Sequence, residues 1–124
     1  MNSKTKNIIA WVLTGLVALI FIGSGIFKLT GGNEEMAKGL GGSSNLLILG
    51  ILELIIVGLF LFPRTGVVGA LLAIAYIGGA IAVHFTTNQS VLPLVIIQIL
   101  IWVTSVLRFP ELGQRLFQNL NAPQ

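Results

Sequence analysis

The chain has 124 residues, of which 55% are hydrophobic and only 9% charged, and its mean hydropathy is +0.97. Soluble domains carry roughly 25% charged residues, so this composition excludes a water-exposed globular domain, and the lack of cysteine excludes thiol–disulfide relays and thiolate metal or iron–sulfur sites. The net charge of +3 comes from basic residues at helix ends and in linkers rather than from a patch with interleaved aromatics, which excludes nucleic acid as a partner.

Four apolar runs predict four helices that span a lipid bilayer, over residues 8–28, 46–62, 66–85 and 91–108. Each run is close to the ~20 residues that cross a bilayer core. We therefore expect an all-α fold, an antiparallel four-helix bundle that forms a single transmembrane domain over residues 1–124. The first run is longer than the apolar core of a signal peptide and lacks a clear cleavage site, so we expect it to be retained.

The connections between the runs differ in length. In the long linker 29–45, Asn33 as an N-cap and Gly39 as a stop predict a short outer-loop helix. The turn at 63–66 makes the second and third helices antiparallel neighbours. The C-terminal segment 109–124 predicts an interfacial helix with one apolar face, formed by Leu112, Leu116, Phe117 and Leu120.

The distribution of basic residues predicts the orientation. One side of the predicted bundle carries Lys4, Lys6, Arg64, Arg108 and Arg115, whereas the other carries Lys28 and Lys38 together with two glutamates. Because cytoplasmic loops are enriched in Lys and Arg, we expect both termini in the cytoplasm, in the cytoplasmic (inner) membrane of a bacterium.

Polar residues inside the runs are the candidate functional residues. Glu53 lies in the middle of the second run, where an acid costs about 2.5–3.5 kcal/mol on insertion scales, so it should face the bundle interior and have a partner. Lys28 ends the first helix, with Ser24 one turn before it. His84 nearly ends the third helix, and Gln98 lies about two turns into the fourth. We predict that these five residues form a polar cluster that binds a ligand in the outer half of the bundle.

Side-chain direction permits a contact between Lys28 and Glu53, with His84 and Gln98 nearby. Helical side chains lean towards the N-terminus of their own helix, so Lys28 leans into the membrane while Glu53 leans out of it. Their backbones differ in depth by about 10 Å at helical rise, which two long side chains can largely close. On the fourth helix, helical spacing predicts an inward face of Leu94, Gln98, Trp102 and Ser105, although Trp102, like Trp11, also fits an aromatic belt at the membrane surface.

Each candidate also has a purely structural interpretation. Lys28 alone would usually reach the headgroups, His84 fits a membrane-surface histidine as well as a ligand or proton carrier, and Gln98 fits a hydrogen bond between helices. Glu53 is either functional or half of a structural ion pair. One histidine and one intramembrane glutamate are too few for a di-metal or haem site, so no metal is expected and no cofactor is evident. A quinone needs little more than a hydrogen-bond donor or two in an apolar cleft, so a quinone pocket remains open.

Five short motifs resemble the DoxX-like family of small four-helix membrane proteins over residues 11–111. They are residues 23–29 (GSGIFKL), 50–54 (GILEL), 62–70 (FPRTGVVGA), 79–84 (GAIAVH) and 108–112 (RFPEL). The resemblance implies a link to redox chemistry, because the family's namesake is similar to a membrane subunit of a thiosulfate:quinone oxidoreductase. Other relatives are linked to redox stress or to the assembly of channel receptors. Lys28, Glu53 and His84 match the polar pattern of the family.

Three functions remain open from the sequence, and whether the chain is an enzyme is one of the open points. The first is a redox-associated subunit with a quinone or small-anion site, in which Lys28 attracts an anion, His84 exchanges protons and Glu53 sets their charge. Its electrons would come from a partner redox subunit or from the quinone itself. The second is a non-enzymatic assembly protein that docks a partner membrane protein. The third is a small-solute or proton pathway, which would require a homo-oligomer.

Overall fold

The computed structural model describes residues 2–116, and all regular elements in this range are α-helices. The helices are α1 (Ser3–Leu29), α2 (Glu34–Gly39), α3 (Ser43–Leu61), α4 (Gly66–Thr86), α5 (Leu92–Arg108) and α6 (Pro110–Leu116). The predicted all-α bundle is therefore confirmed. Phe117 and Leu120, with the rest of the expected interfacial segment after residue 116, lie outside the described residues.

The helices have the length and the surface of membrane spans. Within the described range α1, α3 and α4 are each long and apolar enough to cross a bilayer, and α5 makes a fourth span if it is counted together with α6, from which it is bent by 109°. Large apolar side chains such as Leu19, Ile48 and Leu71 are exposed around the bundle, where water would not tolerate so many. The chain is therefore a multi-pass integral membrane protein.

The four long helices form a ring. Helix α1 packs against α3 and α5, and α4 packs against the same two helices from the other side. Because each connection reverses the chain, neighbouring helices are antiparallel. One end of the ring, called the α2 end here, holds α2, the end of α1 and the start of α3. The opposite end, called the hairpin end, holds the α3–α4 turn and α6.

Local caps explain where α1 and α2 begin. Helix α1 starts at Ser3, five residues before the apolar run, because the Asn2 side chain accepts a hydrogen bond from the Thr5 amide at 2.8 Å. Asn33 caps α2 in the same way, accepting from the Met36 amide at 2.7 Å. Glycine pairs with positive φ flank α2 on both sides, namely Gly31, Gly32, Gly41 and Gly42. These conformations let the chain enter and leave a helix of only six residues.

The hairpin end is closely packed. Phe60 of α3 is buried against Phe109, with ring centroids 6.4 Å apart. Gly69 of α4 lies so close to the backbone of Phe60 that a Cβ at this position would overlap it, and a Cβ on Gly66 would overlap the Phe109 ring. Because these two glycines have no side chain, α4 can pack this closely against α3 and Phe109.

Arg108 completes this end by capping α3. Its guanidinium donates hydrogen bonds to the carbonyl of Phe60 and, at 2.8 Å, to that of Leu61, which are free because α3 ends at Leu61. The same group lies 4.8 Å from the centre of the Trp11 ring and 4.8 Å from that of Phe109. Arg108 thus joins α1, α3 and α5 at one point.

Candidate ligand-binding cavity

A close crossing of α1 and α3 positions the candidate residues. A Cβ on Gly50 would lie 2.9 Å from the Gly25 carbonyl oxygen and 3.0 Å from Cβ of Lys28. Lys28 and Glu53 each follow one of these glycines by three residues, which is about one helical turn. Both side chains therefore emerge beside the crossing, on facing surfaces of the two helices.

Lys28 and Glu53 form a buried ion pair, which is the contact that their opposed side-chain directions permit. The Lys28 Nζ atom lies 2.6 Å from Glu53 Oε1, and the side chains are 12% and 3% exposed. Lys28 also donates to Ser24 Oγ at 2.6 Å, one turn earlier on α1. From α4, the hydroxyl of Tyr76 donates to the same Glu53 Oε1. Lys28, Glu53 and Tyr76 are called the polar triad below.

The triad leaves one carboxylate oxygen without a donor. Both neighbours donate to Glu53 Oε1, as expected for an ionised carboxylate beside a lysine. Glu53 Oε2 is also buried, and it has no hydrogen-bond partner within residues 2–116. The triad alone therefore does not complete the hydrogen bonding of Glu53. Leaving a buried acceptor without a hydrogen bond lowers the stability of the folded protein by roughly 1–3 kcal/mol.

The triad forms part of the wall of a cavity of about 830 Å³ at the α2 end. Apolar side chains from all four long helices make up most of the remaining wall, and α2 with its N-cap Asn33 contributes polar lining through Asn33 and Glu35 at the α2 end. On α4 the wall includes Ala75 and Gly79, which are exposed on the surface of the bundle. The cavity therefore reaches both the end of the bundle and its lipid-facing side.

His84 lies on the wall of the same cavity. Its Nδ1 atom is 2.9 Å from the Ala80 carbonyl oxygen, one turn earlier on α4. Since a carbonyl can only accept, Nδ1 is the donor of this hydrogen bond. Among the described residues, no hydrogen bond joins His84 directly to the polar triad.

Gln98 lies apart from the cavity wall. Its Nε2 donates to the Ile74 carbonyl at 3.0 Å, which fixes α5 to α4, and its Oε1 is buried without a partner in the described part of the chain. The inward face predicted for α5 was partly wrong. Ser105 is buried, but Trp102 is 39% exposed, and Ile101 and Thr104 face the interior instead.

Tyr76 is the member of the triad that the sequence analysis missed. On α4 the helical spacing that ends at His84 runs through Ala73, Ile77 and Ala80, and Tyr76 lies at the edge of this stripe. A signal was available, because this is the single tyrosine of the chain and lies in the middle of an apolar run. A tyrosine hydroxyl at that depth needs an acceptor, and Glu53 is an acid at matching depth on the adjacent helix.

The charges around the cavity do not favour an anion. Among its lining residues Lys28 is the single cation, and it is paired with Glu53, while Glu35 adds a second carboxylate at the mouth. Nor do residues 2–116 bring together three or more His, Cys, Asp or Glu side chains that could hold a metal ion. The wall is thus suited to a neutral molecule that is apolar over most of its surface and polar at one part.

Comparison with known proteins agrees with the motifs. The sequence model of the DoxX-like family matches residues 12–107, which include all five candidate residues. No curated protein and no solved structure matches the chain.

Proposed function

This chain belongs to the DoxX-like family of membrane proteins, and we propose that it is a membrane subunit that binds a quinone-class molecule in the cavity beside Lys28, Glu53 and His84. The observation that carries the proposal is the polar triad on the wall of a largely apolar cavity of about 830 Å³. Binding cavities for small organic molecules usually measure about 300–1,000 Å³ and place a few polar groups in an apolar wall.

The charge balance favours a quinone over a small anion. An anion would have to compete with Glu53 for Lys28 and pass the carboxylate of Glu35 at the mouth. A neutral ring with polar substituents meets neither obstacle. The exposed small residues Ala75 and Gly79 leave room for an isoprenoid tail to extend into the bilayer.

The chain's own residues supply hydrogen bonds and a route for protons. Lys28 uses two of its three N–H groups on Ser24 and Glu53, so one remains for a ligand oxygen. His84 lines the cavity close to the end of α4, a position from which a histidine ring can exchange protons between a ligand and water. A bound quinone supplies two-electron, two-proton chemistry, and a partner redox subunit is the expected source or acceptor of the electrons.

A matched pair of substitutions on α4 tests the cavity. Ala80 lines it, whereas Ala82, two residues further on, faces away from it and is exposed. We expect Ala80→Phe to fill the cavity and to remove quinone that co-purifies with the detergent-extracted protein, as measured by mass spectrometry of the organic extract. Ala82→Phe should retain it. If wild type carries no quinone and binds none when it is added, the proposal fails.

The second candidate is an assembly protein in which the ion pair is structural, and the crossing at Gly25 and Gly50 favours it. The pair directly follows the closest approach of α1 and α3, where it would fix their register. Under this function, Ala80→Phe would leave every activity of the protein intact, whereas loss of the ion pair would prevent it from accumulating in the membrane.

We also propose that both termini face the cytoplasm of a bacterial cell, with the α2 end outside. The basis is the excess of Lys and Arg at the hairpin end and termini. Because the chain has no cysteine, a single cysteine introduced at position 38 or at position 6 is the one site on this protein that a thiol reagent can label. Labelling at position 38 reports the side of the α2 end, and labelling at position 6 reports the side of the N-terminus. A membrane-impermeant maleimide should label Lys38→Cys and spare Lys6→Cys in intact inner-membrane spheroplasts, and the reverse pattern would invert the orientation.

A further inference from the structure

Helices α3 and α4 diverge from the hairpin end towards the α2 end. Gly69, Tyr76 and Val83 are spaced by seven residues, so they lie on one side of α4. Gly69 lies directly against the backbone of Phe60, which makes this the side that faces α3. Tyr76 reaches Glu53 of α3 with the hydroxyl at the tip of its side chain. Val83, nearest the α2 end, lines the cavity. The space between the two helices therefore widens from direct contact to open cavity.

The cavity wall continues from this side of α4 to its outer surface. Ile77 is buried and marks the side of α4 that faces the core. At about 100° per residue, Ala75 and Gly79 both lie about 160° from Ile77, almost opposite the core, and both are exposed. Both nevertheless line the cavity, as Tyr76 does. The cavity therefore passes around α4 and opens towards the lipid.

The opening lies on the α3 side of α4, because the other side is closed against α5. There the Ile74 carbonyl accepts the hydrogen bond from Gln98 at 3.0 Å, and a Cβ on Gly78 would lie 3.8 Å from Gln98 Nε2. None of these three residues belongs to the described lining of the cavity. The opening between α3 and α4 is called the lateral cleft below, and its walls are formed by Leu49, Ala75, Gly79 and Val83.

We propose that the ligand enters the cavity sideways from the bilayer through the lateral cleft, and that its isoprenoid chain stays there over Gly79 while its ring lies in the cavity. The inference rests on the proposed function and adds the route of the ligand and the residue that controls it. Gly79 has this role because a Cβ at its position would meet nothing within 4 Å. A chain can thus pass over the backbone of α4 without displacing another group.

The two openings of the cavity differ in polarity, and this difference favours the lateral route for a chain. At the α2 end the lining carries the polar side chains of Asn33, Glu35, His84 and Gln89. Each methylene-sized group of a chain that moves from apolar surroundings into water costs about 0.8 kcal/mol. In the lateral cleft the chain remains among apolar side chains and lipid, so it avoids this cost. The lateral route also needs no movement of α2.

The position of the chain can be mapped on the wild-type protein. Full-length protein in lipid nanodiscs is incubated with a prenylated benzoquinone that carries a photoreactive diazirine on its first isoprene unit. After irradiation, labelled peptides are identified by mass spectrometry, and the specific label is the part that excess benzoquinone without a chain removes. We expect the specific label on residues 75–83 of α4 and on the facing part of α3.

The other outcomes separate the route from the proposed function. Specific label confined to α2, or to the lipid-facing sides of α1 and α5, overturns the lateral route and leaves the proposed function intact. Binding of the chain-free benzoquinone without any specific label does the same. If neither benzoquinone binds, both the route and the proposed function fail.

A matched pair of glycine substitutions tests the controlling residue. Leucine at position 79 has open space at its Cβ, so the protein should fold, but the side chain occupies the lateral cleft. Gly23 on α1 is also exposed with open space at its Cβ, and it lies outside the described lining of the cavity. We expect Gly79→Leu to bind the prenylated benzoquinone about tenfold or more weakly than wild type and the chain-free one within about twofold. Gly23→Leu should bind both as wild type does.

Three results would show that Gly79 does not control the route. They are equal loss of both ligands in folded Gly79→Leu, wild-type binding of both by that variant, and a loss of the prenylated ligand in Gly23→Leu as large as in Gly79→Leu.

Discussion

The two ends of the bundle use the same four helices in opposite ways. At the hairpin end Phe60, Phe109 and the side-chain-free surfaces of Gly66 and Gly69 fill the space between helices. At the α2 end α1 and α3 also touch through two glycines, but the space enclosed with α4 and α5 is left as a cavity with the triad on its wall. Tight packing at one end holds the helices together, so the other end can keep an open site.

Arginine and lysine show the same contrast in their partners. Arg108 at the hairpin end donates to backbone carbonyls and lies against aromatic rings. Lys28 at the α2 end is paired with a buried acid that has an acceptor to spare. The recorded partners of Arg108 are thus neutral groups, whereas that of Lys28 is a carboxylate with one oxygen left without a donor among residues 2–116.

The largest effect is expected from breaking the triad on one side only. Lys28→Met leaves Glu53 as an unpaired buried charge, and loss of one partner of such a pair typically costs about 3–5 kcal/mol. The free energy of unfolding can be measured by SDS titration in mixed micelles. The double variant Lys28→Met/Glu53→Gln should recover most of the loss. A double variant as unstable as the single one would show that the charge is not the cause.

Next in size is the glycine contact of the hairpin end. Gly69→Ala places a Cβ against the backbone of Phe60, which cannot move aside as a flexible side chain would, so we expect a loss of about 3 kcal/mol in the same titration. Gly58→Ala is the control, since a Cβ there meets nothing within 4 Å. Equal stability of the two variants would contradict the close contact between α3 and α4.

A smaller effect is expected at the cap of α3. Arg108→Lys keeps the charge but cannot place two donors on the carbonyls of Phe60 and Leu61 together, so a loss of about 1.5 kcal/mol is expected. Ligand binding at the α2 end should not change, and binding assays on the same nanodiscs check this. A shift in ligand affinity would mean that the two ends are coupled.

The smallest effect should follow from Tyr76→Phe. Glu53 Oε1 keeps its bond from Lys28 and loses only the one from Tyr76, which predicts a loss of about 1 kcal/mol in unfolding. The substitution separates the triad's two contacts without leaving a charge unpaired. A loss as large as that of Lys28→Met would instead make Tyr76 essential to the burial of Glu53.

Most of the fold follows from the sequence because lipid imposes simple rules. The four apolar runs and the turn at 63–66 predict the spans closely, since every span must satisfy its own backbone. The start of α1 could not be predicted from hydropathy, because residues 3–7 are polar and become helical through the Asn2 cap. Helical period alone placed Trp102 on the inward face, because period does not distinguish a lipid-facing aromatic residue from an inward one, whereas its exposure agrees with the aromatic-belt interpretation.

The candidate site was only partly predictable. The Lys28–Glu53 contact follows from helix direction and side-chain lean, which are properties of each helix alone. The participation of Tyr76 and the separation of Gln98 depend instead on how α4 is rotated against α3 and α5. The cavity itself is the space that the four packed helices leave unfilled, and no local sequence pattern predicts it.

The crossing at Gly25 and Gly50 also links backbone spacing to charge pairing. A larger residue at either position pushes α1 away from α3, and Lys28 and Glu53 lie one turn further along the same two helices. A methyl group added at one glycine therefore acts on the ion pair as well as on the packing. For a protein engineer, these four positions are one design unit, because the size of the residues at two of them sets the distance between the charges at the other two.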